Sequence, residues 1–454
     1  MTHINSEIST NKIESQSISS LLAFTAIAAA ACLNPVNGAL VVTAYPELAD
    51  FFNLPYAHVS ALVMYFLAST AAAQPLAGAL GDYFGRKNIF IFGILGLSTS
   101  SIAAGYSNSF DILVSWRVTQ AVFSGIITAN AAPLINRIIP EKKIATYLGF
   151  LSSAIVAATA FAFPLGGFLI KAFDWRVLFW CSVPIGAIAL LLVSMYVPGD
   201  EERKTQFSSL SFLGVPFIPL AIFIQALIQK QSLLMPLIYF ILITTAVLFA
   251  ILRSKNSKDQ FSNINTINFN LCGWIAFFSA ATTFSLMFML PAWIPASLNV
   301  TSTELGIYLS TFTLSTMVVS PFLGKYIDRH GQNKPIIISA LCMIGGISLM
   351  SLFLFRVTFV TAMILTGIGI AISQLVSYRS SLLSAPKANQ ALAMGIFTSY
   401  RSAGCIAGNA LSATIFASSP TVTTSLGTTI LIWILIVFSI PLSTALHFLG
   451  RRNL

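Results

Sequence analysis

Charge is scarce in this chain: Asp, Glu, Lys and Arg together make up 8% of its 454 residues, against 56% that are hydrophobic. Soluble domains carry about a quarter charged residues, so a water-soluble fold is excluded. The 14 carboxylates are rarer than the 24 basic groups, and Glu47, Asp50, Asp82, Asp111, Glu141, Asp174, Glu304 and Asp328 all fall at the ends of apolar runs or between them. The five cysteines, Cys32, Cys181, Cys272, Cys342 and Cys405, sit inside apolar runs rather than loops, which reads as small apolar filler and not as disulfide pairing. The four histidines, His3, His58, His330 and His447, stand singly at the tail or near the ends of apolar runs, so neither a metal cluster nor the acid/base constellation of a membrane enzyme is in view. A Gly-rich phosphate loop ending in Lys and Ser or Thr is missing, which excludes an ATP-driven pump. No cofactor is implied. The first nineteen residues are polar, with Glu7, Lys12 and Glu14, and lack the basic start and short apolar core of a cleaved signal.

What the chain has in abundance is apolar length. Fourteen stretches fall near 20–43, 57–80, 88–106, 111–136, 145–170, 177–198, 211–229, 232–252, 268–292, 304–323, 335–354, 357–383, 390–416 and 425–449. A bilayer needs roughly 17 to 25 residues per helical span, so the expectation is an all-α membrane protein with fourteen transmembrane helices. The net charge of +10 alone would suggest nucleic acid or a membrane surface. Its placement argues otherwise. Lys171, Arg176, Lys230 and Arg356 fall on one side, Arg117 and Arg401 stay within spans, and every other basic residue lies on the opposite side. That bias reads as topology, with both termini cytoplasmic and a bilayer as the partner.

The same punctuation also occurs twice. Pro75, Gly78, Asp82, Gly85, Pro140 and Gly149 return in order as Pro321, Gly324, Asp328, Gly331, Pro386 and Gly395, each shifted by 246 positions. Six spans project onto six, and two are left over. The expected layout is a tail at 1–19, a six-helix bundle at 20–203, two inserted helices with linkers at 204–265, a second six-helix bundle at 266–449 and a tail at 450–454. In so apolar a chain, a duplicated helical block implies a transporter whose halves rock about a shared central site.

Three strings carry a family resemblance. Gly78-Ala-Leu-Gly-Asp82-Tyr-Phe-Gly85-Arg86-Lys87 follows the second span; Gly166-Gly167-Phe-Leu169, Trp175-Arg176-Val-Leu-Phe179 and Pro184-Ile-Gly186 join the fifth and sixth; and Arg117 with Gln120 and Gly125 marks the fourth. Together they resemble the major facilitator superfamily, in particular its fourteen-span drug:proton antiporter branch. The resemblance implies alternating access, multidrug or metabolite efflux across a membrane such as the bacterial inner membrane, protons as coupling ion, and action as a monomer. It also implies a conformational latch at Gly78, Asp82, Gly85, Arg86 and Lys87, echoed by Gly324, Asp328 and Gly331. Physically, Gly78 and Gly85 are expected to permit a tight reversal, Asp82 to cap helix amides, and Arg86 and Lys87 to anchor the loop. The echo lacks the paired bases, so its latch is expected to be weaker.

The departures are as informative. Members of that branch commonly carry an acidic residue in the first span nine positions before a proline, where this chain has Asn37 before Pro46. Asparagine cannot titrate. The basic residues within spans are Arg401, near mid-depth in span thirteen, and Arg117, nearer the outer side; an intramembrane arginine costs on the order of 2.5 to 3.5 kcal/mol and usually faces a bundle interior or wet cavity. They point to a positive cavity for an anionic or carboxylate-bearing small molecule, and the alternative for Arg401 is a bond to backbone carbonyls at a helix junction. Asn34, Asn37, Gln120, Asn130, Gln374 and Tyr378 are the polar cavity candidates, with Phe284, Met287 and Trp293 as an adaptable apolar wall. Amides in apolar helices also simply bond a neighbouring helix. The leading expectation is proton-driven export of small amphipathic or anionic compounds. The alternatives are an importer or facilitator of an anionic metabolite such as a carboxylate siderophore, and a non-transporting membrane receptor or scaffold.

Overall fold

A computed structural model describes residues 2–54, 56–199, 266–298, 302–352 and 356–418, with a few single positions between 212 and 245. Among them there is no strand. The helices are α1 (Thr2–Thr43), α2 (Tyr45–Phe52), α3 (Tyr56–Phe84), α4 (Arg86–Gly105), α5 (Phe110–Ile138), α6 (Ile144–Ala172), α7 (Arg176–Trp180), α8 (Ser182–Tyr196), α9 (Thr266–Leu298), α10 (Ser302–His330), α11 (Asn333–Leu352), α12 (Arg356–Ser384) and α13 (Gln390–Ser418). Eight are long and apolar enough to cross a membrane. The expected spans at 211–229, 232–252 and 425–449 lie outside the described residues.

The repeat read from single residues is also a repeat of elements. Shifted by 246 positions, α3, α5 and α6 coincide with α10, α12 and α13, all of 29 residues, and the 3-10 turn Glu141–Lys143 coincides with Lys387–Asn389. Two boundaries differ from expectation. Helix α1 reaches back to Thr2, and nothing before Pro35 in it is Gly or Pro, so no residue there stops it. After α1 a separate short helix, α2, begins with Pro46 at its first turn and ends on Asn53 in the left-handed region at φ 52°.

Each half packs on itself. In the N-terminal half α5 lies against α3 and α4, while α1 lies against α6 and α8; in the C-terminal half α9 meets α13 and α12, and α12 also meets α10 and α11. The halves meet along two crossed seams, α3 against α13 and α6 against α10. These are images of each other under the repeat. At the far end of the N-terminal half, Trp175 is buried at 2% exposure and packs edge-on with Phe51 and Phe179, while the Arg176 guanidinium covers the rings of Phe51 and Trp175.

Candidate functional site

The repeated glycines and aspartates are among the residues by which the halves touch. Asp82, at the end of α3, accepts hydrogen bonds from the backbone amides of Ala391 and Leu392 at 3.2 and 2.8 Å. Asp328, at the end of α10, accepts from the amides of Ala145 and Thr146 at 3.1 and 2.8 Å. Each carboxylate therefore caps the first turn of a helix in the opposite half, where unpaired amides and the positive helix end favour an anion. Higher up, a Cβ on Gly78 would lie 2.0 Å from the Ala391 carbonyl oxygen, and one on Gly324 would lie 2.4 Å from that of Ala145. Gly149 and Gly395 are equally tight against Ser320 and Gln74.

This corrects the reading of Gly78 as part of a reversal: it lies inside α3, and the absence of a side chain lets the seam close. Gly85 and Gly331 do make the reversals, at φ 96° and 80°, where an L side chain is strained. Asp82 caps as expected, but across the halves rather than within its own loop. Arg86 binds the Asp82 carboxylate at 2.8 Å and donates to the Lys387 carbonyl, so it reaches the second half; Lys87 instead donates to the Ser194 carbonyl of α8. The end of the second seam lacks those bases but has other support. The Thr146 hydroxyl donates to Asp328 at 2.7 Å, and Arg379 stands 3.7 Å from it.

A further pair was not singled out from the sequence. Proline has no N–H, so Pro75 leaves the carbonyl four residues earlier, Ala71, without its helical donor, and Pro321 does the same to Met317. Ser399 donates its hydroxyl to Ala71 at 2.8 Å, and Ser153 donates to Met317 at 2.6 Å. Ser153 and Ser399 are themselves 246 positions apart, which is the signal that could have found them. Between them the α3 seam gains one more contact. Gln74, 1% exposed, accepts from Ser402 at 3.2 Å and donates to Thr128 at 3.4 Å. The seam thus runs antiparallel from Asp82 and Ala391 up to Ala71 and Ser402, about 16 Å at 1.5 Å per residue.

At the upper end of the seam, Arg401 lies eleven residues into α13, half-buried, and close enough to Tyr378 of α12 for electrostatic contact; Tyr378 packs on Phe397 at 5.6 Å. Those two candidates are brought together. Asn34, Phe284 and Gln374 are half-buried on α1, α9 and α12, and the side chains of Met287 and Trp293 lie outside the described residues. The other candidates sit inside the N-terminal half. Asn130 donates to the carbonyls of Ala77 and Ile126, bolting α5 to α3 in the space that Gly81 leaves. Arg117, expected beside Arg401, is 0% exposed: it donates to Gln120 at 3.0 Å and lies 4.3 Å from the Phe66 ring, and Gln120 donates to Ser101 of α4. Asn37 is 1% exposed. No group of acidic, histidine or cysteine side chains among the described residues is arranged to hold a metal.

The family model described as Major Facilitator Superfamily matches residues 27–261 and 272–452. The chain belongs to the Major Facilitator Superfamily. It is a multi-pass membrane transporter and not an enzyme. An MFS-type transporter of Bacillus subtilis (strain 168), YwoD, is 29% identical over 87% of this chain and 90% of its own length. The riboflavin transporter RibZ of Clostridioides difficile (strain 630) is 22% identical over 86% of each chain. The tetracenomycin C resistance and export protein of Streptomyces glaucescens is 23% identical over 70% of this transporter and 60% of that protein. The crystal structure of the human organic anion transporter MFSD10 superposes with a TM-score of 0.66 at 14% identity, covering 92% of this chain and 99% of that one, and the proton:xylose symporter XylE superposes at 0.64. The double seam therefore belongs to a facilitator fold, closed here at the end that carries the repeated Asp-Gly loops.

Proposed function

We propose that this transporter exports small amphipathic or anionic compounds by alternating access, driven by the proton gradient. In the closed-loop-end state the central cavity opens toward the opposite face, and the Arg401 guanidinium offers a carboxylate or other anionic group a partner at mid-depth. The observation that carries this reading is the position of Arg401: half-buried, about 16 Å along α13, beside Tyr378 and level with the end of the seam at Ser402. Relatives named for tetracenomycin export and riboflavin transport support a substrate of modest size with polar and apolar parts. The cytoplasmic placement of the loops and both termini is part of the proposal and rests on the basic residues there. The cavity set is Arg401 and Tyr378 with Asn34, Gln374 and Phe284, and the protein acts as a monomer.

Arg401→Gln tests the site. Uptake of matched anionic and cationic probes into everted vesicles is expected to fall selectively for the anion; equal loss of both removes the anion reading. A proton ionophore tests the driving force, since antiport collapses with the gradient. A second reading has an observation in its favour: Asn37 and not a carboxylate stands in the first span, buried in the N-terminal half. An importer or facilitator of an anionic metabolite, such as a carboxylate siderophore, needs no titrating side chain there, and flux indifferent to the ionophore would select it.

A further inference from the structure

The repeat breaks where it supports its two aspartates. Arg86, at the start of α4, holds the Asp82 carboxylate with two nitrogens, Nε at 3.0 Å and Nη2 at 2.8 Å, and Nη2 also reaches the Lys387 carbonyl of the other half. Shifted by 246 positions, Arg86 falls on Gln332, whose side-chain oxygen accepts instead from Ser380 of α12. The base beside Asp328 is Arg379, and its own image in the first half is Pro133, inside α5. One arginine therefore crosses its seam, while the other stands on α12, in the same half as the aspartate it faces.

That second arginine is not hydrogen-bonded to its aspartate in the closed seam. Its Nε lies 3.7 Å from the Asp328 Oδ1, within ion-pair range but beyond a hydrogen bond, and although buried it finds no acceptor. The carboxylate is occupied elsewhere: Oδ1 accepts from the Ala145 amide, and Oδ2 from the Thr146 amide and hydroxyl. All three donors sit on α6, in the other half. When the seam parts, Asp328 loses them together, and a shift of about 1 Å brings it onto the idle Nε at the distance of a charge-assisted bond. Asp82 has no such second partner. Its arginine is already bonded to it, and part of that arginine's bonding goes to the half that leaves.

We propose that Arg379 is a positioning residue of the transport cycle: it receives the Asp328 carboxylate as the α6–α10 seam opens, and so favours the open loop end, whereas Arg86 favours the closed one. This role rests on the alternating-access reading, but on neither its substrate nor its driving force. Two observations follow from it together. A buried donor left unmade costs free energy in the closed state, and a base has moved from the loop to α12 in one copy of the repeat only.

The test uses the purified full-length protein with nitroxide labels on cysteines placed at Lys142 and Lys325, which are exposed on the two sides of the second seam, and reads the ratio of long to short distances between them. Arg86→Gln is expected to raise this open-to-closed ratio about fivefold and Arg379→Gln to lower it about fivefold, the scale of one partly exposed charged bond gained or lost. To keep the fall measurable, Arg379→Gln is also read in the Arg86→Gln protein, where the open population is larger. In Asp328→Asn the neutral amide no longer draws the guanidinium, so adding Arg379→Gln should leave the ratio within about twofold, whereas a merely structural role would shift it in both backgrounds. An unchanged or raised ratio in Arg379→Gln overturns the role, and so does an equal fall in the Asp328→Asn background. Should Arg379→Gln fail to fold, Arg379→Lys decides: the compact ammonium lacks the guanidinium's Nε and should lower the ratio, and no fall overturns the role. If Arg86→Gln leaves the distances unchanged as well, alternating access itself is at fault; if Arg86→Gln opens the loop end and Arg379→Gln does not close it, only the Arg379 assignment falls.

Discussion

A single carboxylate at each seam does two jobs, closing a helix start and joining the halves. Replacing Asp82 by Ala leaves the Ala391 and Leu392 amides uncapped, at about 1 to 2 kcal/mol for a lost cap, and frees Arg86 from its ion pair. Because the cost falls on the closed-loop-end state, the expected readout is faster alkylation of cysteines introduced along α3 below Gln74; unaltered accessibility would sink the capping argument. Gly78→Val and Gly324→Val are expected to stop transport while the protein still elutes as a single folded species, since backbone stands 2.0 and 2.4 Å from the new Cβ. Gly167→Ala is the matched control, with open space at its Cβ, and should transport normally. At the far end, partial burial together with Asp174 and Asp50 pushes the Glu47 carboxyl above its ordinary value of 4.5. A raised carboxyl pKa means that the folded chain holds the proton more tightly than the unfolded one, so this group's contribution falls as pH rises from the ordinary value through the raised one. Glu47→Gln should therefore unfold at a slightly higher temperature near neutral pH, and the gain should vanish in acid below the ordinary carboxylate range. A gain that persists there refutes the assignment.

Between elements, proline and serine act as a pair. Pro75 and Pro321 free one carbonyl each, and a serine from the other half takes it, so a defect in one helix becomes a bond between two. Ser399→Ala should orphan the Ala71 carbonyl in the closed state, costing about 1 to 3 kcal/mol. Spin labels across the loop end should then report a larger open population. Adding Pro75→Ala restores the internal donor of α3, so the double variant should recover much of the loss, and simple additivity of the two effects would disprove the pairing. The two seams are not equal. The α3 seam adds the Gln74 contacts, and Asn136 of α5 donates to Gln390 of α13 at 3.1 Å, while among the described residues α6 and α10 gain only the Thr146 hydroxyl. Legibility followed the same line: helix lengths and the reversal glycines were readable because periodicity and backbone strain are local. Gly78 was misread and Ser153 and Ser399 passed over because their partners are 164 residues away or more.

At the scale of the molecule, both seams join the same two halves, so opening one without the other is expected to be resisted by the packing within each half. Disabling both carboxylates, as Asp82→Ala with Asp328→Ala, should therefore favour the opposite state more than either alone, read by the same spin labels across the loop end; a double variant no more open than the singles would argue against concerted opening. The amino-acid sequence alone determined that this chain is helical, membrane-spanning, duplicated and a transporter in kind, because scarcity of charge, apolar length and repeated spacing are properties of order along the chain. Which polar side chains are enclosed and which stay partly open was decided by tertiary structure. Arg117, Gln120 and Asn130 carry the same polar chemistry as Arg401 and Tyr378, yet the packing of α3, α4 and α5 encloses the first three while α12 and α13 leave the others partly open. The face of a helix that meets a neighbour, rather than the residue type, sets which charge is enclosed and which is left open.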